Sequence, residues 1–262
     1  MNNINKTLYI PLYGKAYVTE KKLFLDDVKA VEIWSKAGIK LGGKSKSKWL
    51  AYYMGIRALV FDNRLRELMQ EDKDAVVIHI GCGLDSRILR VGEGGHKWYD
   101  VDFPEVISER KYYFTESDSY KMISADVREK TWLDSIPEHK SAIVVMEGVS
   151  MYMSKDEFSS LFDNLTSHFE NLSLIVDCYS SFAAKMSKYK NPINDVGVTK
   201  VYGIDDPKEL EGSRLAFVKE HDMTPIEHIN QLSGIERRIF SKLYAGSFSK
   251  KLYRLYEYTK TN

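Results

Sequence analysis

The chain has 262 residues, 44% of them hydrophobic and 29% charged, which suits one medium-sized core with an added cap. Lys plus Arg is 38 and Asp plus Glu is 37, a formal net charge of +1 that supports neither a nucleic-acid binder nor a membrane-surface protein. Two cysteines, Cys82 and Cys178, are too few for a disulfide framework or a cysteine zinc site, and with no run near the ~20 apolar residues of a membrane span, and a polar start from Met1 to Thr7, a cytoplasmic protein without a metal is expected.

Residues 16 to 70 read as helical. Asp26, Asp27, Val28, Ala30, Val31, Ile33 and Trp34 form an amphipathic segment that stops near Gly38. Gly42 to Lys48 has the composition of a mobile loop. Lys48 to Met69 again places apolar residues at helical spacing. Then the character changes. Ala75 to Ile80 is a short β-branched run that ends at Gly81-Cys82-Gly83, as a buried parallel strand does. Helix is expected over Ser86–Val91, and a strand over Lys97–Val101, ending in Asp102-Phe103-Pro104. Helix follows over Glu105–Thr115 and a strand over Lys121–Ser124, ending at Ala125-Asp126. After a short helix, Trp132–Ile136, a strand at Ala142–Met146 ends in Glu147-Gly148. Ser154 and Glu157 spell a capping box before a helix over Lys155–Phe169. Leu172–Cys178 is a fifth strand.

Strand and helix alternate throughout, which argues for a doubly wound α/β sheet, Rossmann-like and mostly parallel. The expected division is a helical N-terminal cap over 1–74 and a sheet domain over 75–262. Residues 180–212, with Pro192, Gly197, Gly203, Pro207 and Gly212, break the rhythm and read as a lid insertion. Arg214–His221 and Leu252–Thr259 look like closing strands around a helix over Ile226–Leu243, an antiparallel edge.

Ligands of open parallel sheets sit outside the carboxyl ends of the strands. Here polar residues stand at four successive strand ends: Gly81-Cys82-Gly83, Asp102, Asp126 and Glu147. The glycines allow a sharp turn and close backbone approach, although an ordinary strand-to-helix turn reads the same way. Ser86 occupies the place of the third glycine of a dinucleotide fingerprint. Asp102, 19 residues after Gly83, can accept both hydroxyls of a ribose, which NAD and S-adenosylmethionine both carry. Asp126-Val127 can meet an adenine edge and face, or Asp126 can simply cap the next helix. A cluster of carboxylates that includes Glu147 favours a cationic sulfonium and repels a pyrophosphate, which tips the choice to S-adenosylmethionine.

Several segments together resemble the leucine carboxyl methyltransferase superfamily, in particular its bacterial polyketide-synthesis O-methyltransferase branch. They are Ile10-Pro11-Leu12-Tyr13-Gly14-Lys15-Ala16, Gly55-Ile56-Arg57, Val77 to Arg87, Tyr99 to Pro104, Ala125 to Arg128, and Glu147 to Met153, in order across about residues 8 to 180. The resemblance implies a class I methyltransferase fold with an N-terminal helical cap. It implies that Arg57 binds the methionine carboxylate of the cofactor, with Lys15 nearby. By the same resemblance, Gly81, Cys82 and Gly83 form the turn under the cofactor, Asp102 and Phe103 the ribose side, Asp126 and Val127 the adenine side, and Glu147 the acid after the fourth strand. Arg57→Ala is then expected to weaken cofactor binding and leave the fold intact.

Methyl transfer from a sulfonium is an in-line displacement that needs a nucleophile held about 3 Å from the methyl and water excluded. A carboxylate is ionised at neutral pH and needs no general base, whereas a phenol usually does. None of the six histidines stands in a convincing base position. His79 reads as a core residue and His96, after two glycines, as solvated. A carboxylate acceptor is therefore favoured over a hydroxyl, and the resemblance implies a small, polyketide-like molecule, with Tyr152, which matches a family tyrosine, as its wall or donor and Arg57 shared with it. The 17 tyrosines, among them Tyr9, Tyr13, Tyr17, Tyr52 and Tyr53 in the cap and Tyr179, Tyr189 and Tyr202 near the lid, either line an aromatic site or pack the core. Two other classes stay open: a module that binds S-adenosylmethionine without catalysis, and an NAD-dependent oxidoreductase.

Overall fold

β-branched runs with no helical period build the centre of the molecule. The computed structural model describes residues 5–187, 201–211 and 214–261, and places β1 at Val76–Ile80, β2 at Trp98–Asp102, β3 at Tyr120–Ser124 and β4 at Ser141–Met146. It places β5 at Asn171–Tyr179, β6 at Leu215–His221 and β7 at Tyr253–Lys260. Among the described residues these strands form one sheet in the order β3-β2-β1-β4-β5-β7-β6. The first five are parallel, and β7 and β6 join antiparallel, the expected closing edge. The strand order reverses between β1 and β4, so a crevice opens there at the carboxyl ends.

Period-two alternation along the buried strands sends side chains to two covered faces. Val77, Ile143, Ile175 and Leu255 meet the N-terminal helices α1 (Tyr9–Glu20), α2 (Val28–Ala37) and α3 (Lys48–Glu71) through Leu12, Ile33, Ile56 and Phe61. Val76, Ile78, Val144 and Leu174 meet the opposite layer, where α6 (Lys155–His168) supplies Phe158, Leu161 and Leu165. The capping box forms at the start of α6. Glu157 N–H donates to Ser154 Oγ at 3.3 Å, and Ser154 N–H donates to Glu157 Oε2 at 2.6 Å. The α2 segment ends at Gly38, which takes a left-handed conformation at φ 63°.

Four local expectations change. Gly43–Lys46 forms a 3-10 turn with Ser45 buried rather than an open loop. The helix from residue 104 stops at Arg110. The segment after β6 is broken into α8 (Ile226–Ile229), α9 (Gly234–Phe240) and a π turn at Ser241–Ala245, because Ser233-Gly234 restarts the chain. His96 is buried, not solvated: its Nδ1 lies 3.2 Å from Glu93 O and its Nε2 3.0 Å from Asp72 O. Of the 180–212 insertion, α7 (Ser181–Met186) and a 3-10 turn at Pro207–Leu210 are described. Pro192, Gly197, Tyr189 and Gly212 lie outside the described residues. No described helix is long and apolar enough to cross a membrane.

Candidate active site

A cavity of about 590 Å³ lies at the crevice, within the roughly 300–1,000 Å³ of small-molecule sites. The residues to which the sequence reading gave a cofactor or catalytic role all line it: Lys15, Arg57, Gly81, Cys82, Gly83, Asp102, Phe103, Asp126, Val127, Glu147 and Tyr152; of the candidate aromatic walls, Tyr53 and Tyr179 line it, whereas Tyr9, Tyr17 and Tyr52 pack with the core. The topology explains this convergence. β1, β2, β3 and β4 run parallel, so the residues at their carboxyl ends share one rim.

Gly81 turns the chain out of β1 at φ 66°, where a Cβ would run into Val149 Cγ2. Gly83 follows at φ 51°. Asp102 braces this turn. Its Oδ2 accepts the Gly83 N–H at 2.8 Å, and its Oδ1 accepts the Phe103 N–H at 2.8 Å. No cation forms an ion pair with Asp102 among the described residues, and burial raises its pKa to about 6. Beneath the turn, the buried Arg110 donates to Gly83 O at 3.0 Å and Asp85 O at 2.7 Å. At the end of β3, Asp126 pairs with Arg128, whose hydrogen bonds hold its carboxyl below the usual range. The same Asp126 accepts the Arg128 N–H at 3.1 Å, so it acts locally as a cap while facing the cavity.

Arg57 projects from the middle of α3. Its Nε donates to Glu147 Oε1 at 2.7 Å, and its Nη1 donates to the Tyr253 hydroxyl at 3.1 Å. Nη2 has no hydrogen-bond partner among the described residues and lies beside Gly148 at the cavity wall. Glu147 is also held by Arg87, which in turn donates to Asp62 Oδ1 at 2.8 Å. Burial works against the Glu147 charge, but Arg57 and Arg87 outweigh it and bring its pKa down to about 2. Lys15 Nζ lies 3.0 Å from Asp85 Oδ1, and Arg90 lies 2.7 Å from the same oxygen. Three of the cavity acids, Asp85, Asp126 and Glu147, are therefore paired with cations, which corrects the expectation that bare carboxylates face a sulfonium. Asp102 is the carboxylate that keeps its acceptor capacity for a ligand.

His79 lines the cavity but is 1% exposed. Its Nε2 lies 3.0 Å from Arg87 Nη1, and arginine only donates, so Nε2 is the acceptor and the ring is neutral with its proton on Nδ1. Desolvation, then the Arg87 charge, lowers its pKa. It has no free lone pair with which to take a proton from an acceptor.

The site fits the cofactor that the sequence suggests. The turn through Gly81 and Gly83, free of side chains, leaves room for a ligand to approach the backbone. The Asp102 carboxylate keeps spare lone pairs that a diol could use, and one guanidinium nitrogen of Arg57, Nη2, is left without a hydrogen-bond partner among the described residues for an α-carboxylate. Sequence reading did not pick out Arg87, Arg110, Asp177, Tyr244 or Tyr253. Asp177 is legible as an acid inside the apolar run of β5. Tyr253 gives no local signal, because only the antiparallel pairing of β7 with β5 brings it to the cavity.

Solved structures share this architecture. Magnesium protoporphyrin IX methyltransferase (ChlM) from Synechocystis, with bound SAH, superposes with a TM-score of 0.53 at 13% identity, over 88% of this chain and 94% of that one. The N-methyltransferase NodS from Bradyrhizobium japonicum gives 0.53 at 11%, over 80% and 88%. The fold is that of the class I methyltransferases. The leucine carboxyl methyltransferase model matches residues 13–166. The chain belongs to that family and is an S-adenosylmethionine-dependent methyltransferase. It is 29% identical to the tetracenomycin polyketide synthesis O-methyltransferase TcmP of Streptomyces glaucescens over 206 residues, 78% of this chain and 76% of that protein. It is also 29% identical to the S-adenosyl-L-methionine-dependent methyltransferase dpfgK of Gibberella zeae, over 64% of this chain and 61% of that one.

Proposed function

We propose that the chain methylates an oxygen, in the first place a carboxylate, of a small aromatic or polyketide-like acceptor, and that the helices of residues 1–74 cap the site. The observation behind this reading is the chamber next to Arg57. Tyr53, Tyr152, Tyr179, Tyr244 and Tyr253 line it together with apolar side chains, and the histidine that reaches it has its lone pair occupied by Arg87. Tyr53 and Tyr244 stack at 5.0 Å, and Tyr179 meets Tyr253 edge-on at 4.7 Å. Such walls suit a flat aromatic body. A chamber whose one histidine among the described lining residues has no free lone pair suits a nucleophile that is already ionised. One relative is named for polyketide synthesis, in the same direction.

When bound, S-adenosylmethionine supplies an electrophilic methyl group on a sulfonium. The residues of this chain position and shield. Asp102 accepts from the ribose side, Asp126 and Val127 flank the adenine side, and Phe103 closes the wall between them. Arg57 Nη2 receives a carboxylate, with the buried Lys15 adding positive potential. Burial raises the Tyr152 phenol, so it stays protonated and can donate to the acceptor. The apolar lining excludes water, which would otherwise compete and stabilise the ground-state charges.

The test is to incubate the purified chain with methyl-labelled S-adenosylmethionine and a panel of aromatic carboxylic acids and phenols. Transfer should give methyl esters, whose label mild alkali releases as methanol. Label that survives alkali, as in an aryl ether or an N-methyl group, contradicts the carboxylate assignment. No transfer to any member contradicts the acceptor class.

A further inference from the structure

Tyr253 opens β7 opposite Tyr179 of β5, and its hydroxyl stands between two buried charges. It donates to Asp177 Oδ2 at 2.5 Å and accepts from Arg57 Nη1 at 3.1 Å. The same Nη1 lies 3.6 Å from the same Oδ2, an ion pair too long for a direct hydrogen bond. Asp177 is fully buried, and its other oxygen accepts the Gly148 N–H at 2.7 Å. On the far side of the guanidinium, Glu147 takes Nε at 2.7 Å. Opposite charges this close in a poorly solvated site attract strongly. The phenol oxygen is the neutral group that fills the gap and satisfies both.

We propose that Tyr253 is a positioning residue, a neutral spacer that keeps Asp177 from capturing Arg57 and so leaves Nη2 turned to the cavity for the carboxylate of the cofactor. This rests on the role proposed above for Arg57. Without the hydroxyl, Asp177 lacks its donor and Nη1 lacks its acceptor. The two then close on each other, and Nη2 swings out of line. Tyr253 lies beyond residues 13–166, the part matched by the family model, so this device comes from the antiparallel edge of the sheet. If Tyr253 served packing alone, its loss would not single out the amino-acid end of the ligand.

Calorimetric titration with two ligands separates these cases. S-adenosylhomocysteine carries the carboxylate, whereas 5′-methylthioadenosine keeps adenine, ribose and sulfur without the amino-acid tail. Tyr253→Phe is expected to bind S-adenosylhomocysteine about tenfold more weakly, with its affinity for methylthioadenosine unchanged. The double variant Tyr253→Phe/Asp177→Asn should recover most of that loss, since the amide no longer draws the guanidinium away. Unchanged S-adenosylhomocysteine affinity in Tyr253→Phe, equal loss of both ligands, or no recovery in the double variant overturns the spacer. Arg57→Lys tells the two readings apart. If it leaves S-adenosylhomocysteine binding intact, the Arg57 reading fails and the spacer with it. If it weakens that binding while Tyr253→Phe does not, the spacer alone fails.

Discussion

At the scale of single residues, Arg57 and Asp102 face opposite electrostatic situations. Arg57 is 5% exposed and meets two acids, Glu147 and Asp177. The sequence suggests that Arg57→Ala spares the fold, but the structure does not. Removing one partner of a buried charge cluster leaves the others uncompensated and costs about 3–5 kcal/mol. Arg57→Ala is therefore expected to lower the thermal midpoint as well as cofactor affinity, whereas Arg57→Lys keeps the charge and most of the stability. An unchanged midpoint for Arg57→Ala in scanning calorimetry contradicts the network. Asp102 is different, because burial raises its pKa to about 6 and no cation among the described residues forms an ion pair with it. Its pKa is higher folded than unfolded, so the group opposes folding at neutral pH, and that opposition fades as pH falls from about 6 towards its unfolded value. Ribose hydroxyls donate best to the ionised form, so S-adenosylhomocysteine affinity should fall as pH drops through about 6. In Asp102→Asn the affinity should start lower and lack that step. A step of the same size in the variant contradicts the assignment.

At the scale of elements, the parallel strands were the most legible part of the chain. Apolar runs such as Val76–Ile80 and Ser141–Met146 end sharply in polar residues, and parallel pairing necessarily lines those ends up. Helix caps with explicit chemistry were legible too, at Ser154 and Gly38. Less was visible where pairing and burial are non-local. The neutralisation of Glu147 requires α3 and α4 (Arg87–Val91) to lie over β4, and no spacing in the sequence announces that. His96 looked like a loop residue, yet two backbone carbonyls of different segments enclose it. The β1–α4 turn gives the prediction at this scale. Gly81→Ala places a Cβ at positive φ and against Val149, a cost of about 2 kcal/mol or more. Because that turn also braces Asp102 through Gly83, the variant should lose S-adenosylhomocysteine affinity along with stability. Wild-type affinity in a thermal-shift titration contradicts the placement of the turn under the ligand.

At the scale of the whole molecule, one sheet with helices on both faces brings groups from α1, α3 and the ends of six strands to a single cavity. Its near-zero net charge gives no long-range steering, so recognition rests on local pairing and on the aromatic chamber. The order of the strands makes this one site rather than several, since β1 and β4 flank the crevice and β7 folds back beside β5 to close it with Tyr253. The most direct test of this account is calorimetric titration of the purified chain and of its Asp102→Asn variant with S-adenosylhomocysteine at neutral pH. The account predicts saturable one-to-one binding that the variant weakens about tenfold or more. Absence of binding by the wild-type chain, or equal affinity in the two proteins, contradicts it.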